Sequence, residues 1–166
     1  MSIPDTVRHR ASEVVFESYP EVGFNYRMTD LQAAVGRVQL TRLASIVAER
    51  RRIASEYASR LSKIDGIVIP TEPAWARTNW QSYCVRLPEG CDQRAVMQHM
   101  LDDGIATRRG VMNAHLEVPY QSAMTSGRLP HSDRAQRQGL ILPVLPSMTA
   151  SQIAHICDSL ARAVNR

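Results

Sequence analysis

Lysine is almost missing from this chain: Lys63 stands alone against nineteen arginines in 166 residues. Chemistry that needs a primary amine therefore has one side chain to use. Aromatic residues make up 5% of the sequence, too few for a dedicated surface on which nucleic-acid bases stack. The three cysteines, Cys84, Cys91 and Cys157, are odd in number, and their spacing fits neither a disulfide framework nor a zinc site. They predict reduced thiols in a cytoplasmic protein and no metal. No apolar run approaches the roughly 18 residues that a membrane-spanning helix needs, and no basic segment followed by an apolar stretch opens the chain. The expectation is a soluble, unexported protein with no membrane partner. Self-contained catalytic motifs are missing as well: there is no glycine-rich phosphate loop, no paired-histidine metal motif and no nucleophile elbow.

What is present describes an ordinary globular domain. Apolar residues at 44% suffice for a core in one domain, and charged residues at 22% argue against disorder. The net charge of +4 is concentrated at Arg50, Arg51 and Arg52. That run lies in a helical pattern between Glu49 and Glu56, so it reads as a solvated or subunit-facing helix side. No motif of the common DNA- or RNA-binding modules accompanies it, and no nucleic-acid partner is expected.

No repeat, low-complexity tract or linker interrupts the chain. Residues 1–22 mix Pro4 and Pro20 with charges and isolated apolar residues without sustained periodicity, and read as a lead-in that packs on something else. A Thr-x-x-Gln capping box at Thr29 and Gln32 opens a helix. Leu31, Val35, Val38, Ile46, Ile53, Tyr57 and Leu61 follow at helical spacing, with one slip of eight between Val38 and Ile46 that predicts two helices or a kink. Gly66 closes this region, with Lys63 in the last turn. Short strands are predicted over Ile67–Ile69, Gln81–Leu87 and Ile105–Arg109, the last one following Gly104. Asp92–Asp103 reads as a helix with Val96, Met97, Met100 and Leu101 on one face. Residues 110–130 read as loop, Ser132–Gln138 as a short helix, and Leu140–Leu145 as an apolar strand broken by Pro143. A last helix follows Thr149 and carries Ile153, Ile156, Leu160 and Val164. The fold class expected is α/β with α+β character, three or four strands with helices over one face.

On chemistry alone, His115 with Glu117 and Tyr120 is the best local cluster for binding or proton transfer, although a loop histidine is commonly only a surface hydrogen-bonding group. Asn25 beside Arg27 can equally be a turn at Gly23 with a structural ion pair. A wider pattern bears on both. GFNYRMTDLQAAVGRVQL at 23–40, RRRIASEYASRL at 50–61, NWQSYCVRL at 79–87, GIATRRGVMNAH at 104–115 with Tyr120, and LILPVLPSMTASQI at 140–153 occur in this order. Together they closely resemble the DegT-like (DnrJ/StrS-type) nucleotide-sugar aminotransferases over about residues 5–165.

The resemblance implies, at 29–166, the C-terminal small domain of an aspartate-aminotransferase-type (fold type I) enzyme that uses pyridoxal 5'-phosphate, with 1–28 as the lead-in from a large domain. The family's cofactor lysine belongs to a large domain that these residues do not match. Lys63, at an exposed helix end where its charged form is favoured, does not replace it. Asn25 matches the asparagine that reaches across the family's dimer to the cofactor phosphate, a role suited to a neutral amide donor. Arg108, His115 and Tyr120 match the substrate side, where sugar hydroxyls and a diphosphate call for donors and cations, and Arg27 either faces an anionic substrate group there or holds the Asn25 segment. Arg108 and Arg109 replace a more aromatic family pattern, which leaves the substrate open.

The function expected is transfer of an amino group from an amino acid, usually glutamate, to a keto nucleotide-sugar in amino-sugar or polysaccharide biosynthesis. The complete enzyme is expected to be a homodimer, or to be completed by a separate large domain, and the chain by itself to be inactive. The alternatives are a free-standing interaction or nucleotide-sugar-binding module without chemistry, and a basic nucleic-acid-binding or regulatory domain using Arg50–Arg52.

Overall fold

The computed structural model describes residues 26, 28–111, 113–121 and 129–165. The chain divides into two units, Met1–Arg42 and Leu43–Arg166.

In the first unit, helix α1 spans Asp30–Thr41. Its start is the capping box read from the sequence: Thr29 Oγ1 accepts from the Gln32 backbone N–H at 3.3 Å, and Gln32 Oε1 accepts from the Thr29 N–H at 2.9 Å. Two of the N–H groups that a helix start leaves orphaned are thereby paired. Leu31, Val35 and Val38, on one stripe of α1, are 82%, 62% and 60% exposed. The slip after Val38 is a true break, because α1 ends at Thr41 and helix α2, Leu43–Leu61, starts afresh.

The second unit holds a three-stranded antiparallel sheet in the order β1-β3-β2, formed by Tyr83–Arg86, Gly139–Leu142 and Arg108–Arg109. Tyr83 pairs with Leu142 and Val85 with Leu140 across β1 and β3, while Arg108 pairs with Ile141 across β2 and β3. Period-two alternation sends Tyr83 and Val85 into the core and leaves Cys84 and Arg86 exposed. Helices α2, α3 (Gln93–Asp102) and α6 (Ala150–Val164), together with Leu87, Ile105 and Met148 between elements, supply the rest of the core. Ile53, Tyr57 and Leu61 recur every four residues on α2 and are fully buried, as are Met100 on α3 and Ile153 and Leu160 on α6. Each such aliphatic side chain contributes about 1.5–3 kcal/mol through burial. Asp92 caps α3, and Thr149 with Gln152 forms a second capping box at α6. The Asp103 carboxylate ties α3 to α6 by accepting from Ser159 at 2.7 Å and from Arg162 at 2.8 Å. These two bonds, the Ser159 hydroxyl first, hold the Asp103 pKa below the usual carboxylate range.

The strands are shorter than their apolar patterns predict. Ile67–Ile69 supplies one bridge, Val68 to Arg86, Gln81–Leu87 contracts to Tyr83–Arg86, and Ile105–Arg109 contracts to Arg108–Arg109. Ile105 is buried ahead of its strand, so its apolar character marks packing and not pairing. The strand predicted over Leu140–Leu145 starts one residue earlier and stops at Leu142, because Pro143 has no N–H to donate. The short helix predicted over Ser132–Gln138 begins instead at Pro130, with proline in the first turn where no donor is needed; it is α5, Pro130–Gln138. Within 110–130, read as loop, the chain forms a 3-10 turn at Ala114–Leu116 and a one-turn helix, α4, at Val118–Gln121. Such single turns carry too few residues to show a period.

Helix α5 passes into β3 with no intervening loop, at Gly139. A Cβ there would lie 2.6 Å from the Ala135 carbonyl oxygen. Glycine is needed for this approach. The Gly139 carbonyl accepts from the Gly110 N–H at 2.6 Å and from Gln93 Nε2 at 2.7 Å, which fastens the start of the 110–121 segment and the start of α3 to one point of β3.

Candidate functional site

The 110–121 segment leaves the end of β2 at Gly110 and is held from the other side by α5. Asp133 and Gln136 lie three residues apart on α5 and so share a face. Gln136 Oε1 accepts from the Asn113 backbone N–H at 2.9 Å, and Asp133 Oδ1 lies 2.8 Å from His115 Nε2 and 3.4 Å from Asn113 Nδ2. The His115 and Asp133 side chains are only 12% and 23% exposed, so water competes weakly for the bond between them. Gln93 Nε2 also donates to the Gln136 carbonyl at 3.0 Å. The loop therefore has a fixed conformation around His115, built from α5, α3 and β3.

The other candidate residues are placed differently. Glu117 does not join His115; its nearest cation is Arg109, at 4.0 Å between Arg109 Nη2 and Glu117 Oε1. Tyr120, on α4, is 56% exposed, and its backbone N–H bonds the Glu117 carbonyl. Arg108 is exposed on β2. The sequence cluster of His115, Glu117 and Tyr120 thus does not form a mutually hydrogen-bonded group, and the partner of His115 comes from α5. Asn25 and Arg27 lie outside the described residues. Lys63 is exposed in the turn after α2, which offers no enclosure to hold an amine deprotonated. Asp133, Asn113 and Gln136 were not singled out from the sequence. The spacing of Asp133 and Gln136 on one helical face was the available signal, but it names no partner.

Two of the three arginines in the run on α2, Arg51 and Arg52, are occupied within the chain, whereas the buried Arg50 Nε has no partner among the described residues. Arg51 forms a two-pronged pair with Glu72, Nη2 to Oε1 at 2.7 Å and Nη1 to Oε2 at 2.9 Å, and Arg51 Nη1 also donates to the Thr78 carbonyl. The Arg51 hydrogen bond holds the Glu72 pKa below the usual carboxylate range. Arg52 bonds Glu49, Glu56 and the Met148 carbonyl. These guanidinium groups therefore hold the 70–80 segment and the start of α6 in place, and their charge is matched locally. This is poor geometry for a phosphate-tracking surface.

Among the described residues no group of histidine, cysteine and acidic side chains is arranged to hold a metal ion, and no helix is long and apolar enough to cross a membrane.

Comparison with known proteins adds an independent line. The sequence model of the DegT/DnrJ/EryC1/StrS aminotransferase family matches residues 5–161. A dTDP-4-dehydro-2,3,6-trideoxy-D-glucose 4-aminotransferase of Saccharopolyspora spinosa is 34% identical over 146 residues, which cover 87% of this chain and 37% of that protein. Among solved structures, the aminotransferase TlmJ from Streptoalloteichus hindustanus is similar with a TM-score of 0.74 and 29% identity, over 82% of this chain and 36% of that one. DesV of S. venezuelae, solved in complex with a ketimine intermediate, matches with a TM-score of 0.80 and 27% identity, over 96% of this chain and 43% of that one. The chain spans less than half the length of each of these relatives.

Proposed function

This chain belongs to the DegT/DnrJ/EryC1/StrS aminotransferase family, and from that premise we propose that it is the C-terminal part of a sugar aminotransferase. Its fold is that of the small domain of a fold type I aminotransferase. In this reading residues 1–28 are the lead-in from a large domain and 29–166 the small domain. The reaction is transfer of an amino group from an amino acid, glutamate in the first instance, to a keto nucleotide-sugar. The observation that carries the reading is the family match over 5–161, which includes both the Asn25 segment and the loop fixed around His115.

The described residues suit the substrate side of such a site and not the seat of the cofactor. An imidazole, an exposed guanidinium at Arg108 and a phenol at Tyr120 can meet hydroxyls and a diphosphate. None of them can form the Schiff base, and Lys63 is placed at an open helix end. Pyridoxal phosphate, when bound, would act as the electron sink for amino-group transfer. The lysine that holds it would come from polypeptide beyond these 166 residues, so that the chain alone is inactive. Asn25 would donate its amide to the cofactor phosphate across a homodimer, while Arg27, Arg108, His115 and Tyr120 would line the nucleotide-sugar side.

The test is complementation. The chain is combined with a lysine-bearing large domain of the family, and cofactor absorbance and transamination from glutamate to a keto nucleotide-sugar are followed. Both should appear only in the mixture, and Asn25→Ala should weaken cofactor retention about tenfold, the loss of one charge-assisted hydrogen bond. Nucleotide-sugar binding by the chain alone, with no transamination on complementation, would replace this reading by that of a non-catalytic binding module.

A further inference from the structure

The contact between α5 and the 3-10 turn does more than brace a loop, because it decides which nitrogen of His115 is available. Asp133 Oδ1 lies 2.8 Å from Nε2, a distance at which a carboxylate acts as acceptor and the ring nitrogen must carry the hydrogen. The same carboxylate oxygen also takes Asn113 Nδ2 at 3.4 Å, and Gln136 fixes the Asn113 backbone. Nδ1 makes no hydrogen bond to a described residue. In the neutral ring a proton held on Nε2 leaves Nδ1 as a bare acceptor.

We propose that Asp133 is a positioning residue that holds His115 as the Nε2–H tautomer and thereby presents Nδ1 as an acceptor for a hydroxyl group of the sugar substrate. This rests on the reading of the chain as the sugar side of an aminotransferase and deepens it. The consequence is a division of labour: Arg108 meets anionic oxygens, whereas His115, when its ring is neutral, selects a donor. A hexose hydroxyl is such a donor, and a phosphate oxygen is not. Discrimination against a deoxy analogue follows, because the missing hydroxyl would remove the donor that Nδ1 accepts from.

The tautomer can be read on the protein as it stands, by long-range ¹H–¹⁵N correlation of the imidazole nitrogens, with His115→Gln identifying the His115 signals. At a pH where the ring is neutral, the wild-type chain should show a protonated Nε2 and a bare Nδ1. Asp133→Asn can donate its amide to Nε2 and should move the ring toward the Nδ1–H form. Asp133→Glu should retain the wild-type pattern. A wild-type Nδ1–H signature overturns the proposal and needs no variant to fold, as does a pattern unchanged by Asp133→Asn in a folded chain.

In the complemented enzyme Asp133→Asn should raise KM for the keto nucleotide-sugar about tenfold, the loss of one hydrogen bond, with kcat and cofactor absorbance little changed. An equal fall in kcat with loss of cofactor would overturn the substrate-positioning role. Total absence of transamination by complemented wild type, with the Nε2–H tautomer intact, would instead sink the aminotransferase reading while the Asp133 assignment holds.

Discussion

Tyr83 shows how much one atom can matter in this core. Its ring is fully buried, 5.1 Å from Tyr57 and 5.4 Å from Trp80 between centroids. The two phenols differ: Tyr57 donates to the Pro143 carbonyl at 2.8 Å, whereas the Tyr83 hydroxyl has no partner among the described residues. Burial pushes the Tyr83 pKa up to about 12. A buried hydroxyl without a partner costs about 1–3 kcal/mol of desolvation, so Tyr83→Phe should raise stability by about 1 kcal/mol. Tyr57→Phe, which strands a carbonyl, should lower it by a similar amount. Denaturant unfolding of the two variants checks the pair, and destabilisation by Tyr83→Phe would show that the hydroxyl is bonded after all. The core positions of α2 and α6 were legible at this scale because Ile53, Tyr57, Ile153 and Leu160 obey a helical period. Asp133 was not legible as the partner of His115. Its eighteen-residue separation from His115 belongs to tertiary geometry, about which local pattern is silent.

At the scale of elements, caps and breaks were easier to read than strands. The Thr29–Gln32 box, the Thr149 cap and the break after Val38 are local events, written in side chains that act within four residues. The ends of β1 and β2 depend on the neighbouring strand instead, which is why their apolar runs overestimated their length, whereas β3 stops at a local signal, Pro143. The junction of α5 and β3 carries a testable consequence. Gly139→Ala would drive a Cβ against the Ala135 carbonyl, at 2.6 Å, and toward the Gly110 Cα, at 3.1 Å. Backbone cannot yield as a side-chain tip can, so a loss of about 1–3 kcal/mol is expected. The thermal midpoint measures it, and Gly90→Ala is a useful contrast: it meets no atom within 4 Å but has φ of +81°, so it should lose only the smaller backbone-strain part.

For the molecule as a whole, long-range carboxylate clasps make folding stability depend on acid. Asp103 joins α3 to α6, and Glu72 joins the 70–80 segment to α2. Both have a folded pKa below the ordinary value. Their stabilisation is therefore complete above the unfolded pKa and is lost as pH falls through the folded one. The urea midpoint should hold near neutrality and decline below about pH 4. Asp103→Asn should flatten that decline, and an unaltered pH profile in the variant would remove Asp103 from the account. At this scale the sequence carried family and fold class, because five ordered segments persist across the chain. It carried less of the site, since the partners of His115 come from a distant helix.

The loop-free passage from α5 into β3 has a dynamic consequence. A helix that bears Asp133 and continues directly into the central strand cannot let go of His115 independently of the sheet. The amides of the 113–116 turn and those of Leu140 and Leu142 should then open together in native-state hydrogen exchange, as one cooperative unit. Under the proposed function, a sugar held at His115 would in that case slow exchange in the middle of the core.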